Sequence, residues 1–325
     1  MNHSNSQPVF PFIDSIEQFD AIRPDIQYWQ RAADLIIQKH HLPLEPLTLF
    51  PDGSNIVFAH GKTRVIKIFP PLLRHQFESE NLVMRHLEGK ISVKTPQVEF
   101  SGEIEGWPYI VMSRVEGTSL ETLWENMDHD NKVILIRELG ALIREVHSIP
   151  IQGLETIDCH WDKFLEKQTH QCVERHRRLN LPEKLLSGLP QYLKDAELSS
   201  SRLNEPVILT GEYTPMNLLV SYTSGKWHIT GLIDFGDAML GFSEYDLLGP
   251  GAFLIQGNKE LMKEFLISYG YHSDDLSPTL SRRLTTLMLL HRFSNLSIQV
   301  RIENWKDKVR SLKDLENLIW GFDEL

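Results

Sequence analysis

Two short apolar runs joined by a glycine turn, with acids and an amide placed at their ends, dominate the stretch Pro206–Asp246, PVILTGEYTPMNLLVSYTSGKWHITGLIDFGDAMLGFSEYD. Val207-Ile208-Leu209 reads as a short strand leading into a turn over Thr210–Pro215. Asn217 then opens a second apolar run, Leu218-Leu219-Val220. Tyr222–Lys226 holds the glycine turn, and Trp227–Ile233 alternates before becoming wholly apolar, as the return strand of a hairpin does. Such a hairpin has to carry Asn217 and Asp234 on neighbouring strand ends, with Glu212 five residues before the amide.

An acid, an amide and a second acid on a rigid hairpin are what phosphoryl transfer asks for. The chemistry needs one carboxylate near the acceptor hydroxyl and hard oxygen ligands for a Mg²⁺ that bridges the phosphates. Glu212, Asn217 and Asp234 can supply them. The segment resembles the catalytic and metal-binding loops of the aminoglycoside phosphotransferase family, small-molecule kinases of the protein-kinase-like fold. Gly236-Asp237-Ala238-Met239 resembles its hygromycin-type branch. Thr210-Gly211-Glu212 stands where that family has His-Gly-Asp. The resemblance implies Glu212 as catalytic base, Asn217 and Asp234 as Mg²⁺ ligands, and ATP or GTP as phosphoryl donor. It also implies that Asp246, in Tyr245-Asp246-Leu247, fastens the catalytic loop. Glu for Asp adds a methylene, and a displacement of about 1 Å at a reacting group can cost about 100-fold in rate unless the backbone shifts to compensate.

A kinase also needs a phosphate-gripping lobe, which makes the first third β-rich around a buried lysine. Leu47–Phe50, Ile56–Ala59 and Arg64–Phe69 read as strands separated by turns at PDGSN and His60-Gly61-Lys62. Gly53, Ser54 and Asn55 then offer backbone N–H groups and a hydroxyl to phosphates, although the same three residues also make an ordinary hairpin turn. Lys67, between Ile66 and Ile68, falls on one strand face with Val65 and Phe69; the alternative is an edge-strand lysine pointing to water. FESENLVMRHLEG reads as a helix that puts Glu80, Met84 and Leu87 on one face, so Glu80 rather than Glu78 is the expected partner of Lys67. Ile91–Val98 and Trp107–Val115 read as further strands. PYIVMSRVEGTSL matches the family's crossing between lobes, which makes backbone groups of Ser113, Arg114 and Val115 the candidates for holding the adenine.

After Gly117 the pattern turns helical. Lys132–His147 carries an apolar stripe of Ile136, Leu139, Ile143 and Val146, and Pro150 ends it. His147 closes that helix and is read as structural. Trp161–Leu179, Glu183–Leu198 and the region Leu280–Gly321 read as more helices, with Trp161 a candidate for stacking on an acceptor ring. Cys159-His160 near Asp158 and Asp162 lacks the paired spacing of a structural zinc site. Asp237 reads as a turn acid that can meet a cationic acceptor.

The fold class expected is therefore α+β: a two-lobed protein-kinase-like fold. An N-terminal antiparallel β-sheet lobe with one key helix spans residues 1–115, and a larger, mainly helical acceptor lobe spans 116–325. A formal charge of −11, from 33 Lys+Arg against 44 Asp+Glu, opposes non-specific binding to nucleic acid. No run reaches about 18 consecutive apolar residues and the start lacks a basic leader with an apolar core, so a cytoplasmic protein with no membrane partner is expected. Two cysteines are too few for a disulfide framework. The partner expected is a small-molecule hydroxyl acceptor, an antibiotic or a metabolite, with no obligatory protein partner. Two other readings stay open: a pseudokinase that binds nucleotide without efficient transfer, and a protein kinase, for which the dozen residues between Asp234 and Tyr245-Asp246 leave little activation segment.

Overall fold

A computed structural model of the chain describes residues 9–322 apart from 52, 158–159, 197 and 199–204. The chain divides into two compact units, one made of residues 9–88, 95–116 and 235–237, the other of 89–94, 117–234 and 238–322.

The first unit is built on an antiparallel sheet of five strands in the order β1-β2-β3-β5-β4: β1 (Leu47–Leu49), β2 (Ile56–His60), β3 (Arg64–Ile68), β4 (Val98–Ile104) and β5 (Trp107–Ser113). Side chains alternate across a strand, so Ile66 and Ile68 share one face with Trp107, Tyr109 and Val111. That face is covered by α1 (Ile16–Ile22) and α2 (Ile26–Lys39), which bury Phe19, Trp29, Ala32, Ala33 and Ile36 against it. Neither helix was anticipated from sequence, although Asp25 caps α2 through the Tyr28 N–H and the apolar spacing 29, 32, 33, 36, 37 has the helical period. Lys67 projects from the opposite face. There α3 (Arg74–Leu87) packs against β4 and β5 and buries Gln76, Glu80, Val83, Met84 and Leu87.

The strand expected over Ile91–Val98 lies elsewhere: β4 begins at Val98 and runs to Ile104. Residues 89–94 belong to the second unit, where Lys94 donates its N–H to Thr230 O (3.0 Å) and accepts from Leu232 N–H (3.0 Å) in a parallel bridge. Pairing with a strand some 135 residues away, together with Pro96, separates the run from β4.

In the second unit β8 (Leu218–Thr223) and β9 (Lys226–Leu232) form the hairpin, with β6 (Thr118–Ser119) beside β8. A two-stranded ladder joins β7 (Val207–Leu209) to β10 (Met239–Gly241). α4 (His129–His147) packs on α9 (Lys259–Tyr269) and on β9. α5 (Trp161–Arg178) and α13 (Leu312–Trp320) both pack against α10 (Pro278–Leu290). The helix expected over Glu183–Leu198 is two short ones, α6 (Glu183–Leu186) and α7 (Leu189–Lys194), because Pro190 supplies no helical N–H and starts a new turn. Short elements complete the unit: α8 (Leu248–Pro250) running into a π-helical turn at Gly251–Ile255, α11 (Leu296–Gln299) and α12 (Trp305–Lys308).

Candidate active site

The end of the β8–β9 hairpin carries Asn217 and, just past the return strand, Asp234, and Asn217 contacts Glu212. Leu218 pairs with Leu232, and one residue further the Ile233 N–H donates to Asn217 O at 3.0 Å, so Asn217 lies across from the residue that precedes Asp234. The mostly buried Asn217 amide donates through Nδ2 to Glu212 O (3.1 Å) and Glu212 Oε2 (3.4 Å). Asp234 has φ of +65°, the left-handed region that costs an L-residue steric energy and that is retained mainly where function or packing dictates it. Glu212 and Asp234 are each half-buried.

The loop carrying Glu212 is fastened from behind. Buried Asp246 accepts from the Thr210 and Gly211 N–H groups, both at 3.0 Å. Gly211 at φ +78° supplies a conformation that a side chain would resist. His147 Nε2 lies 3.1 Å from Asp246 Oδ2, and its Nδ1 lies 2.9 Å from the Tyr269 hydroxyl. Burial pushes the Tyr269 phenol up to about 12, so it stays a donor at neutral pH. Tyr213, next to Glu212, is fully buried, and burial with the Asp246 charge pushes its phenol well up.

In the first unit the Lys67 Nζ meets Glu80 Oε2 at 2.6 Å, with both side chains buried. β3 lies between β2 and β5, so Lys67 is on an interior strand rather than an edge. Its ammonium also stands 5.3 Å from the Phe69 ring centroid, within cation–π reach. Glu78 is exposed. In the preceding turn Gly53, at φ +108°, and Ser54 are exposed, whereas Asn55 is buried and donates to Gln76 Oε1 at 3.2 Å. Gln76 in turn donates to Asp237 Oδ1 at 3.4 Å.

Residues 48–276 match the Phosphotransferase enzyme family (APH). The chain belongs to this family. Among solved structures it is similar to the GDP and kanamycin complex of APH(2")-IIia, at 18% identity and a TM-score of 0.66 over 89% of this chain and 97% of that one. The streptomycin–ATP–APH(2")-IIa ternary complex aligns at 16% identity and a TM-score of 0.54 over 86% and 91% of the two chains. The apoenzyme of macrolide 2'-phosphotransferase MphH from Brachybacterium faecium aligns at 16% identity and a TM-score of 0.54 over 78% and 86%. The fold is thus the α+β, protein-kinase-like one expected from the sequence, and the chain is a phosphotransferase.

Other positions of this phosphotransferase differ from expectation or went unseen. Trp161 presents no open face to a ring: it is 6% exposed and packed among Phe164 (5.0 Å), Phe242 (5.0 Å) and Tyr245 (5.2 Å). Asp158 and Cys159 fall outside the described residues. Cys172 is buried, its thiol pushed up to about 11 by burial, which makes it an inert core residue. Among the connector candidates, Ser113 N–H is bonded to Gln97 O (2.9 Å), the Ser113 hydroxyl accepts from Gln97 N–H (2.9 Å), and Arg114 N–H is bonded to Thr63 O (2.7 Å). Val115 is half-buried just beyond them. Gln76 escaped notice, yet it sits four residues before Glu80, so extending the helical stripe back by one turn finds it. Among the described residues no helix is long and apolar enough to cross a membrane.

Proposed function

We propose that this phosphotransferase moves the γ-phosphoryl group of ATP or GTP to a hydroxyl group of a small molecule. Glu212 accepts the hydroxyl proton, the acceptor oxygen forms a bond to Pγ, and the bond from Pγ to the β,γ-bridging oxygen breaks to release the nucleoside diphosphate. Lys67, oriented by Glu80, holds the α- and β-phosphates, and Gly53 and Ser54 offer backbone N–H groups to the same phosphates. Asn55 acts from inside that turn by tying it to Gln76. Because the Ser113 and Arg114 N–H groups are already bonded, Val115 is assigned the N–H that faces the base, leaving Ser113 to act through its carbonyl.

The donor set suits Mg²⁺. Asn217 Nδ2 is directed at Glu212, which leaves Oδ1 as the amide's metal-facing atom, and Asp234 contributes a carboxylate, so both ligands are hard oxygens. When bound, the ion neutralises charge on the transferring phosphoryl group. The observation that carries the proposal is the Glu212–Asn217 contact on a hairpin whose other strand end bears the strained Asp234.

Kanamycin and streptomycin, present in the similar APH complexes, and macrolides, the class MphH is named for, define the first acceptor panel, with hydroxylated amines and sugars beside them. Phosphate transfer from Mg-ATP across that panel, in wild type and Asp234→Asn, is the test. We expect transfer to at least one acceptor and a loss of at least about 100-fold in the variant. Full activity in Asp234→Asn removes the metal assignment. Tight nucleotide binding with no transfer to any acceptor points instead to a pseudokinase in which Glu212 has replaced a working base.

A further inference from the structure

The turn at Gly53-Ser54-Asn55 is held from within by a chain of two amides that ends on a carboxylate. Asn55 and Gln76 are 5% and 7% exposed; Asn55 Nδ2 donates to Gln76 Oε1 at 3.2 Å, and Gln76 Nε2 donates to Asp237 Oδ1 at 3.4 Å. A carboxylate oxygen accepts, so Gln76 turns its N–H group to Asp237 and its carbonyl to Asn55, and Asn55 has to offer Nδ2. The same Nδ2 reaches Ser54 Oγ at 3.3 Å, and a hydroxyl that accepts on a lone pair keeps its own hydrogen to donate. Ser54 is exposed, whereas Asn55 Oδ1 is buried and has no hydrogen-bond partner, so the polar contribution of this buried amide rests on Nδ2 alone. Asn55, Gln76 and Asp237 all belong to the first unit, and Gln76 lies one helical turn before Glu80, the partner of Lys67.

A purely space-filling role at position 76 would be served as well by leucine, without an amide taken out of water. Arg23 already meets the turn from another side, its guanidinium donating to Gly53 O, so closing the turn does not by itself require the inner chain. What the inner chain adds is direction. Resting on the phosphotransferase reading above, we propose that Gln76 and Asp237 are positioning residues for the nucleotide. The chain from Asp237 through Gln76 to Asn55 sets the turn so that the Ser54 hydroxyl and the adjoining N–H groups face phosphate oxygens. Asp237 stands three residues beyond Asp234 in the sequence, so the carboxylate that orders the turn is carried by the segment that follows the proposed metal ligand. Asp237 thereby serves the donor side of the reaction rather than a cationic acceptor.

The test reverses the polarity of the chain in the full protein. Gln76→Glu keeps an acceptor for Asn55 but sets a carboxylate against Asp237; adding Asp237→Asn gives that carboxylate an amide donor, and both hydrogen bonds re-form with the charge moved to position 76. Two readouts are taken: binding of a fluorescent ATP analogue in the presence of Mg²⁺, and amide hydrogen exchange of the 53–57 segment without nucleotide. Expected for Gln76→Glu alone is affinity weaker by about tenfold and exchange of 53–57 faster by about tenfold, with exchange of β5 unchanged. In the double variant both should return to within about threefold of wild type, because the pair rather than either residue carries the contact. Wild-type affinity or unchanged exchange in Gln76→Glu overturns the proposal, and so does a double variant no better than the single one, or faster exchange that spreads to β5. Should Gln76→Glu fail to fold, Asn55→Ala opens the chain at its other end and is expected to weaken affinity by about tenfold as well; wild-type affinity there overturns the proposal equally. A wild type that binds no nucleotide sinks the phosphotransferase reading, while the exchange arm still decides whether the chain orders the turn.

Discussion

The buried Lys67–Glu80 pair allows a contribution to stability and the proposed role in nucleotide binding to be tested separately. Both side chains are buried, so their 2.6 Å pairing offsets part of the solvation each charge loses on folding. Glu80→Gln leaves the Lys67 ammonium without its 2.6 Å carboxylate and should cost about 3–5 kcal/mol of unfolding free energy. Replacing both residues by apolar ones of similar size, Lys67→Met with Glu80→Leu, removes the buried charges altogether and should bring stability back to within about 1–2 kcal/mol of wild type. Nucleotide binding should not return with it if Lys67 holds the phosphates as proposed. Urea unfolding paired with titration of a fluorescent nucleotide separates the two effects. Recovery of both in the double variant shows that Lys67 is only a structural cation.

At the scale of elements, what could be read from sequence was local. The β8–β9 hairpin was legible because its two runs, its turn and its terminal side chains lie within about thirty residues and obey a period of two. α3 was legible because its stripe repeats at the helical period. The run 91–98 misled because its pairing partner at Thr230–Leu232 is remote, and nothing in a local window records that. Asp246 holding the Glu212 loop was expected from the family resemblance, but the longer contacts were illegible for the same reason: His147 reaches Asp246 across 99 residues, and, in the first unit, Gln76 reaches Asp237 across 161. Close packing between remote elements is equally hidden. Gly251, in the π-helical turn, lies under the ring of Trp320 from α13, so that a methyl group at 251 would collide with a rigid, fully buried indole. Gly251→Ala is therefore expected to cost about 1–3 kcal/mol by overpacking even though alanine favours helices. A urea midpoint equal to or above that of wild type means that α13 can shift without penalty.

For the molecule as a whole, the same burial that builds the second unit makes it acid-sensitive above the range where carboxylates titrate. His176 on α5 is 1% exposed with Nε2 3.1 Å from Leu289 O, and burial holds its pKa below the ordinary value. His291 stacks on Tyr245 at 4.6 Å, and burial with the neighbouring Arg292 and Arg175 charges pushes it down to about 3. In the unfolded chain both rings titrate near about 6.5. Between that value and the depressed one the unfolded state binds protons that the folded state refuses, so stability falls as pH drops and is regained as pH rises. Each ring contributes a slope of up to about 1.4 kcal/mol per pH unit. His40 in the first unit, also lowered by burial, adds to the same slope. Unfolding free energy should accordingly be lower at pH 5.5 than at pH 7.5, by about 1.4 kcal/mol for each ring whose depressed value lies well below 5.5. His291→Phe keeps the aromatic stack and cannot be protonated, so it should narrow the difference between the two pH values by about 1.4 kcal/mol. Denaturant unfolding of wild type and variant at both pH values measures the difference directly. An undiminished gap in the variant shows that His291 accepts its proton in the folded chain.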